Sequence, residues 1–240
     1  MRTTAILPVK SFGAAKQRLS GLLGSGSRQA LAQAMFGDVL TSLRRVSEVD
    51  TIAVVTSDPV AESGALGHRV LVLPDTEEAG QSQATLIGIR HALATGFERA
   101  LLVPGDTPLL DPAEVSKLLA LSEERALGVV IVPDRHGTGT NALLLSPPSA
   151  IEPSFGPGSL ERHLAAARAA GLPHAVEPVS SVVLDVDTPE DLAELSAVLE
   201  GRRGQAPMTR GALRQLDRSR VRVSVAPAGR TEQTAARASA

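Results

Sequence analysis

Short, unbroken apolar runs recur along this chain, with room for a single helix between successive runs. "TTAILPV" (3–9), "TIAVVTS" (51–57), "RVLVLP" (69–74), "RALLVPGD" (99–106) and "GVVIVPD" (128–134) do not alternate apolar with polar residues. Successive side chains of a strand point to opposite faces, so a strand covered on one face alternates. These runs therefore read as strands covered on both. The segments between them have helical periodicity. In 27–45, Leu31, Met35, Val39 and Leu43 recur at helical spacing and line one face. Further helices are expected at about 59–66, 82–95, 111–122, 158–170 and 189–199, and further strands at 141–147 ("NALLLSP") and 181–187 ("SVVLDVD"). Strands and helices alternating at this length imply a doubly wound α/β sandwich.

The chain of 240 residues is long enough for one large domain with an appendage. Its charge divides in the same way. Residues 201–240 carry nine arginines against Asp217 and Glu232, or +7, so the overall −2 leaves residues 1–200 at −9. The expectation is a catalytic domain over 1–200 and a disordered Arg/Ala-rich tail over 201–240. The alternatives for the tail are a basic arm on nucleic acid or a partner, and an added edge strand at "VRVSVA". Four Phe with no Tyr or Trp argue against stacking single-stranded bases, so nucleic acid is not the expected partner. With no cysteine, disulfides and thiolate metal sites are excluded. "MRTTAILPV" is too short for a secretory signal, and no apolar stretch is long enough to span a bilayer, so a cytoplasmic location is expected.

In open α/β sheets ligands bind beyond the carboxyl ends of the strands, and the chemistry of this chain is concentrated there. The whole sequence has three lysines, and Lys10 and Lys16 both follow the first strand, with Arg18 behind them. Neither the Walker spacing nor G-x-G-x-x-G is present, so the choice lies between a solvated basic turn and phosphate binding. Asp106 in "VPGDTPLL", and Asp185 and Asp187 in "LDVDTPEDL", emerge at other strand ends. Alternation puts Asp185 and Asp187 on one side. Carboxylates facing a basic loop suit Mg²⁺ with a bound triphosphate, since Mg²⁺ takes hard oxygen ligands. Helix capping is the competing explanation for both "DTP" triplets, and is expected at Thr188-Pro189 and Thr107-Pro108. "RHGTGTN" and "FGPGS" (155–159) offer backbone amides and hydroxyls, as anion nests or as plain tight turns. The five histidines lack metal-ligand spacing, and only His136, inside a glycine loop, draws attention.

In order along residues 3–199, "LPVKSFGAAKQRLS", "VPGDTPLL", "GTGTNALLL", "FGPGSLERH" and "LDVDTPEDL" make the chain resemble the guanylyltransferases of coenzyme F-420 biosynthesis, which act on 2-phospho-L-lactate or phosphoenolpyruvate. That resemblance implies a nucleotide-diphospho-sugar transferase-like three-layer sandwich with a mixed, mostly parallel sheet. It implies GTP and a phosphorylated three-carbon acid as substrates, Mg²⁺ as cofactor, and a downstream enzyme of the same pathway as protein partner. Lys10, Lys16, Arg18, Gly80 and Ser82 would bind the nucleotide, and Thr140, Gly156 and Ser159 phosphoenolpyruvate. Asp106 and Asp187 would hold the metal with Asp185 as an additional ligand, and Lys16, Asp106 and Asp187 would carry catalysis. The chain departs from the family at Ser82, where an Asn is usual. Alternatives are another nucleotidyltransferase of this fold, of the molybdopterin or sugar-nucleotide type, and an inactive nucleotide-binding regulator.

Overall fold

In the computed structural model, which describes residues 1–202 and 204–225, the apolar runs become the strands of one sheet. Among the described residues these are β1 (Thr3–Pro8), β2 (Thr51–Thr56), β3 (Leu71–Pro74), β4 (Arg99–Leu102), β5 (Val129–Pro133), β6 (Thr140–Leu145) and β7 (His174–Val176). Their order is β3-β2-β1-β4-β6-β5-β7. All neighbours run parallel except β6, which is antiparallel to both β4 and β5. The helices are α1 (Ser25–Leu43), α2 (Pro59–Gly67), α3 (Gln81–Ala94), α4 (Pro112–Glu124), α5 (Ser159–Ala169), α6 (Pro189–Gly201) and α7 (Pro207–Val225).

The unbroken apolar character of the strands has the expected cause. In β1, Ala5 and Leu7 enter a core shared with α1, α2 and α4, while Ile6 enters a separate core with α3 and α5. Helices thus cover both faces, and the sandwich has three layers. α3 approaches β1 so closely at Gly88 that a Cβ there would overlap the Ile6 side chain. Helix starts follow capping chemistry. Asp58 accepts from the N–H groups of Val60 and Ala61 at α2, and Asp111 from Ala113 at α4. Thr188 and Asp191 form a reciprocal capping box at α6, with Pro189 in the first turn. Thr107 caps no helix, contrary to expectation. It is buried, and its hydroxyl reaches only the Pro104 carbonyl at 3.4 Å.

Two further expectations are corrected. The segment 181–187 joins no strand ladder: 181–183 completes a turn in which the Val182 N–H donates to the Val179 carbonyl at 2.9 Å, and 184–187 has no regular assignment. Asn141 donates its side-chain N–H groups to the Val182 and Val183 carbonyls, 2.9 Å each, where a neighbouring strand would have paired. The seventh strand is instead 174–176, parallel to β5. The tail does not become disordered at residue 201, and 221–225 is helical instead of an edge strand. Within α7, Leu213 and Leu216 pack on a core cluster that contains Leu192, Leu195 and Leu199 of α6. Asp38, buried in α1, accepts from the Met208 and Thr209 N–H groups at 3.1 and 2.7 Å, and so caps α7 from across the interface. The remainder of the expected tail, 226–240, lies outside the described residues.

Candidate active site

The strand ends open onto one cavity of about 790 Å³, within the range of small-molecule sites. Its basic side is the loop after β1. Phe12 anchors that loop. Its ring is buried against Phe36 of α1, and its N–H donates to Asp58 Oδ2 at 2.8 Å. The other oxygen of Asp58 caps α2, so one carboxylate locks the loop to the helix behind it. Lys10 and Arg18 are exposed on the cavity wall and have no ion-pair partner among the described residues.

Lys16 adopts a left-handed backbone conformation, φ 56°, that favours glycine. Its side chain is only 6% exposed, and its Nζ donates to Asp106 Oδ2 and, at 3.0 Å, to Asp187 Oδ1. Burial disfavours the ammonium, but the Asp106 and Asp187 carboxylates outweigh it and push the Lys16 pKa up to about 12.

The acidic side has its own supports. In 182–187, Val182, Leu184 and Val186 are buried in the core, so Asp185 and Asp187 turn together toward the cavity. The Asp187 N–H donates to Asp191 Oδ2 at 3.0 Å, and Asp191 Oδ1 pairs with Arg135 at 2.6 Å. That brace links the 185–187 segment to the glycine loop between β5 and β6. Burial raises the Asp185 carboxyl above its usual range, and the neighbouring Asp106 and Asp187 carboxylates raise it further. Among the described residues no group of three or more His, Asp or Glu side chains is gathered as a metal cage. What exists is a pair, Asp106 and Asp187, converging on a single cation. A pair fits Mg²⁺, which usually takes one or two carboxylates and completes its octahedron with water and phosphate oxygens.

The third wall comes from the two small-residue loops. Thr140, Gly156 and Ser159 all line the cavity. Gly156 and Gly158 have φ of 106° and 72°, conformations that favour glycine there. Ser159 opens α5, and its buried Oγ has no hydrogen-bond partner. The Arg162 guanidinium clasps the loop from α5. It donates to Ser154 Oγ and to the Ser154 carbonyl, each at 2.9 Å, and to the Phe155 carbonyl at 3.2 Å.

Of the residues expected at the site, Ser82 is the one the cavity does not include. Gly80 lines the wall at the start of α3, but Ser82 Oγ accepts the Phe155 N–H at 3.0 Å and shapes the glycine loop. A serine can take that role because it is short enough to sit between helix and loop. His136 is exposed and stacks its chemistry onto Arg135, whose Nε donates to His136 Nε2 at 3.2 Å. The histidine beside the site is His163, fully buried on α5. Its position four residues after Ser159 was the available signal, since that spacing places both on one helix face.

The arrangement holds a basic loop whose Lys16 pairs with two carboxylates, and an unpartnered hydroxyl at a helix N-terminus, in one cavity. It can bind a polyphosphate and a second anion side by side. A sequence model of the family described as "Guanylyl transferase CofC like" matches residues 3–235. The phosphoenolpyruvate guanylyltransferase of Conexibacter woesei is 51% identical over 219 residues, covering 91% of this chain and 98% of that one. The 2-phospho-L-lactate guanylyltransferase of Methanothermobacter thermautotrophicus is 36% identical, covering 84% of this chain and 86% of that one. A crystal structure described as a nucleotide-diphospho-sugar transferase, from Desulfovibrio desulfuricans, superposes with a TM-score of 0.72 at 18% identity, covering 91% of this chain and 96% of that one. That last likeness concerns the fold.

Proposed function

This chain belongs to the CofC-like guanylyl transferase family, and we propose that it transfers GMP from GTP to phosphoenolpyruvate, releasing pyrophosphate, as a step in coenzyme F-420 biosynthesis. The observation that carries this reading is the meeting of the Lys16–Asp106–Asp187 cluster and the free Ser159 hydroxyl in one cavity. Nucleotide and acceptor then lie on opposite sides of a single reacting phosphorus.

Lys10, Lys16 and Arg18 hold the triphosphate and neutralise charge that builds on the leaving pyrophosphate. Asp106 and Asp187, with Asp185 behind them, hold Mg²⁺. When bound, the ion supplies further charge neutralisation at the α-phosphate and helps to orient it. Thr140, the Gly156 backbone and Ser159 hold the acid. A phosphate oxygen of the acid forms the new bond to the α-phosphorus, and the bond from that phosphorus to the α,β-bridging oxygen breaks. A phosphate monoester has its second pKa near 6, so this oxygen is already ionised near neutral pH and no side chain need remove a proton.

The test is pyrophosphate release from GTP and Mg²⁺ with phosphoenolpyruvate, 2-phospholactate or 3-phosphoglycerate. We expect release with all three to differ in rate, with phosphoenolpyruvate fastest. A different acid in first place corrects the acceptor, and no release with any of them overturns the reading.

A further inference from the structure

We infer that His163 is a positioning residue that locks the Thr140 hydroxyl as a hydrogen-bond donor to the acceptor acid. The inference rests on the acceptor assignment above. His163 is fully buried, between Thr140 on β6 and the 154–158 loop. Its Nε2 lies 2.9 Å from the Ser154 backbone nitrogen, a group that can only donate. Nε2 must therefore present its lone pair, and in a neutral imidazole the proton then sits on Nδ1. Nδ1 is 2.9 Å from Thr140 Oγ1, so Nδ1–H donates to that oxygen. A hydroxyl receiving a proton along this line must direct its own hydrogen elsewhere, and Thr140 lines the cavity beside Gly156 and Ser159. Phosphate and carboxylate oxygens are acceptors only, so a hydroxyl fixed as donor favours them over ligands that need an acceptor.

The ring is held in place from other directions. Phe155 meets it edge-on, with centroids 5.4 Å apart, and Arg162 clasps the same loop that supplies the Ser154 N–H. Burial, and then the neighbouring Arg162 charge, lower the His163 pKa to about 4, which keeps the ring neutral at working pH.

Two replacements separate the arms of the imidazole. The His163→Asn amide can reach the Nδ1 position and still donate to Thr140. The carbonyl of His163→Gln can reach the Nε2 position, keeping the Ser154 contact and losing Thr140. We expect His163→Gln to raise the KM for phosphoenolpyruvate about ten-fold, the worth of one hydrogen bond to a charged group, with the KM for GTP unchanged. His163→Asn should stay closer to wild type. Combining His163→Gln with Thr140→Val should be no worse than Thr140→Val alone. Multiplying losses in the double variant, or equal rises for both substrates, overturn the inference.

A second measurement does not depend on any variant folding or turning over. In ¹⁵N-labelled wild-type protein the imidazole proton should reside on Nδ1, and His163 resonances should shift on adding phosphoenolpyruvate alone. A proton on Nε2 overturns the inference. Failure of wild-type pyrophosphate release with every acid overturns the functional reading instead, whatever the tautomer of His163.

Discussion

Lys16 Nζ lies 3.0 Å from Asp187 Oδ1 while also donating to Asp106, so one ammonium occupies the point on which both carboxylates converge. A divalent ion at this pair must compete with that ammonium. Lys16→Met should therefore bind Mn²⁺, a reporter for Mg²⁺, about ten-fold more tightly in the absence of nucleotide, as expected for removing one charged contact. Turnover should fall by a similar factor or more, because the same lysine is lost to the triphosphate. Calorimetric titration with Mn²⁺ decides the first point. Unchanged metal affinity would show that ion and ammonium do not share these carboxylates.

Asp106→Asn and Asp187→Asn should each abolish turnover and leave the fold intact. Each keeps the side-chain shape, and each leaves Lys16 paired with the remaining carboxylate. Loss of one charge from the proposed metal site should cost about several kcal/mol of transition-state stabilisation. Steady-state rates across a Mg²⁺ series, with circular dichroism as the fold control, check this. A near-normal rate with normal Mg²⁺ dependence removes that residue from the metal site.

His163 gives a pH dependence with a definite sign. Its folded-state pKa, about 4, lies below the ordinary 6.5, chiefly because burial disfavours the charged ring. The unfolded chain therefore takes up a proton first as pH falls. Its contribution to stability is complete above pH 6.5 and is lost as pH falls toward 4, on the order of 3 kcal/mol. Urea unfolding near pH 7 and near pH 4.5 should show a smaller loss for His163→Asn than for wild type. Parallel losses in both proteins would assign acid sensitivity to other groups.

Truncation after residue 202 should lower the melting temperature, because α7 covers Leu192, Leu195 and Leu199 with Leu213 and Leu216. Asp38→Ala should reproduce part of the effect by leaving the Met208 and Thr209 N–H groups without their carboxylate acceptor, at a cost of about 1 kcal/mol. Thermal melts of the two variants test this. An unchanged melting temperature for the truncation would mean that α7 contributes no net stability.

The contrast between the core strands and α7 shows what the sequence could convey. Strands such as β1 announce themselves because successive residues Ala5, Ile6 and Leu7 enter one apolar core or the other, leaving no polar position among them. α7 hides because its stability comes from a few leucines and from a cap donated by Asp38, 170 residues away in the chain. An Arg-rich composition gives no sign of such a partner. The site divides similarly. Lys16, Asp106 and Asp187 are legible because charge at a strand end has few structural explanations. Ser82 was misplaced because the residue it serves, Phe155, lies on a distant loop. Asn141 explains why 181–187 fails as a strand, since its amide satisfies carbonyls that local pattern assigns to a ladder.

Ser159 offers a test in which stability and binding move in opposite directions. Its Oγ is buried at the first position of α5 and has no partner, so in the free protein the hydroxyl is a desolvated polar group. Such a group costs about 1–3 kcal/mol when unsatisfied. Ser159→Ala should therefore leave thermal stability unchanged or slightly raised. The same hydroxyl is positioned to meet an anion of the acceptor, so the KM for the phosphorylated acid should rise about ten-fold. The KM for GTP should barely change, because the triphosphate is assigned to the Lys10–Arg18 loop and Ser159 belongs to a separate element, the start of α5. A residue with a purely structural role predicts lower stability and similar losses for both substrates. A rise in the GTP KM alone would move Ser159 to the nucleotide side. Melting temperature and the two Michaelis constants, measured on one preparation, separate these outcomes.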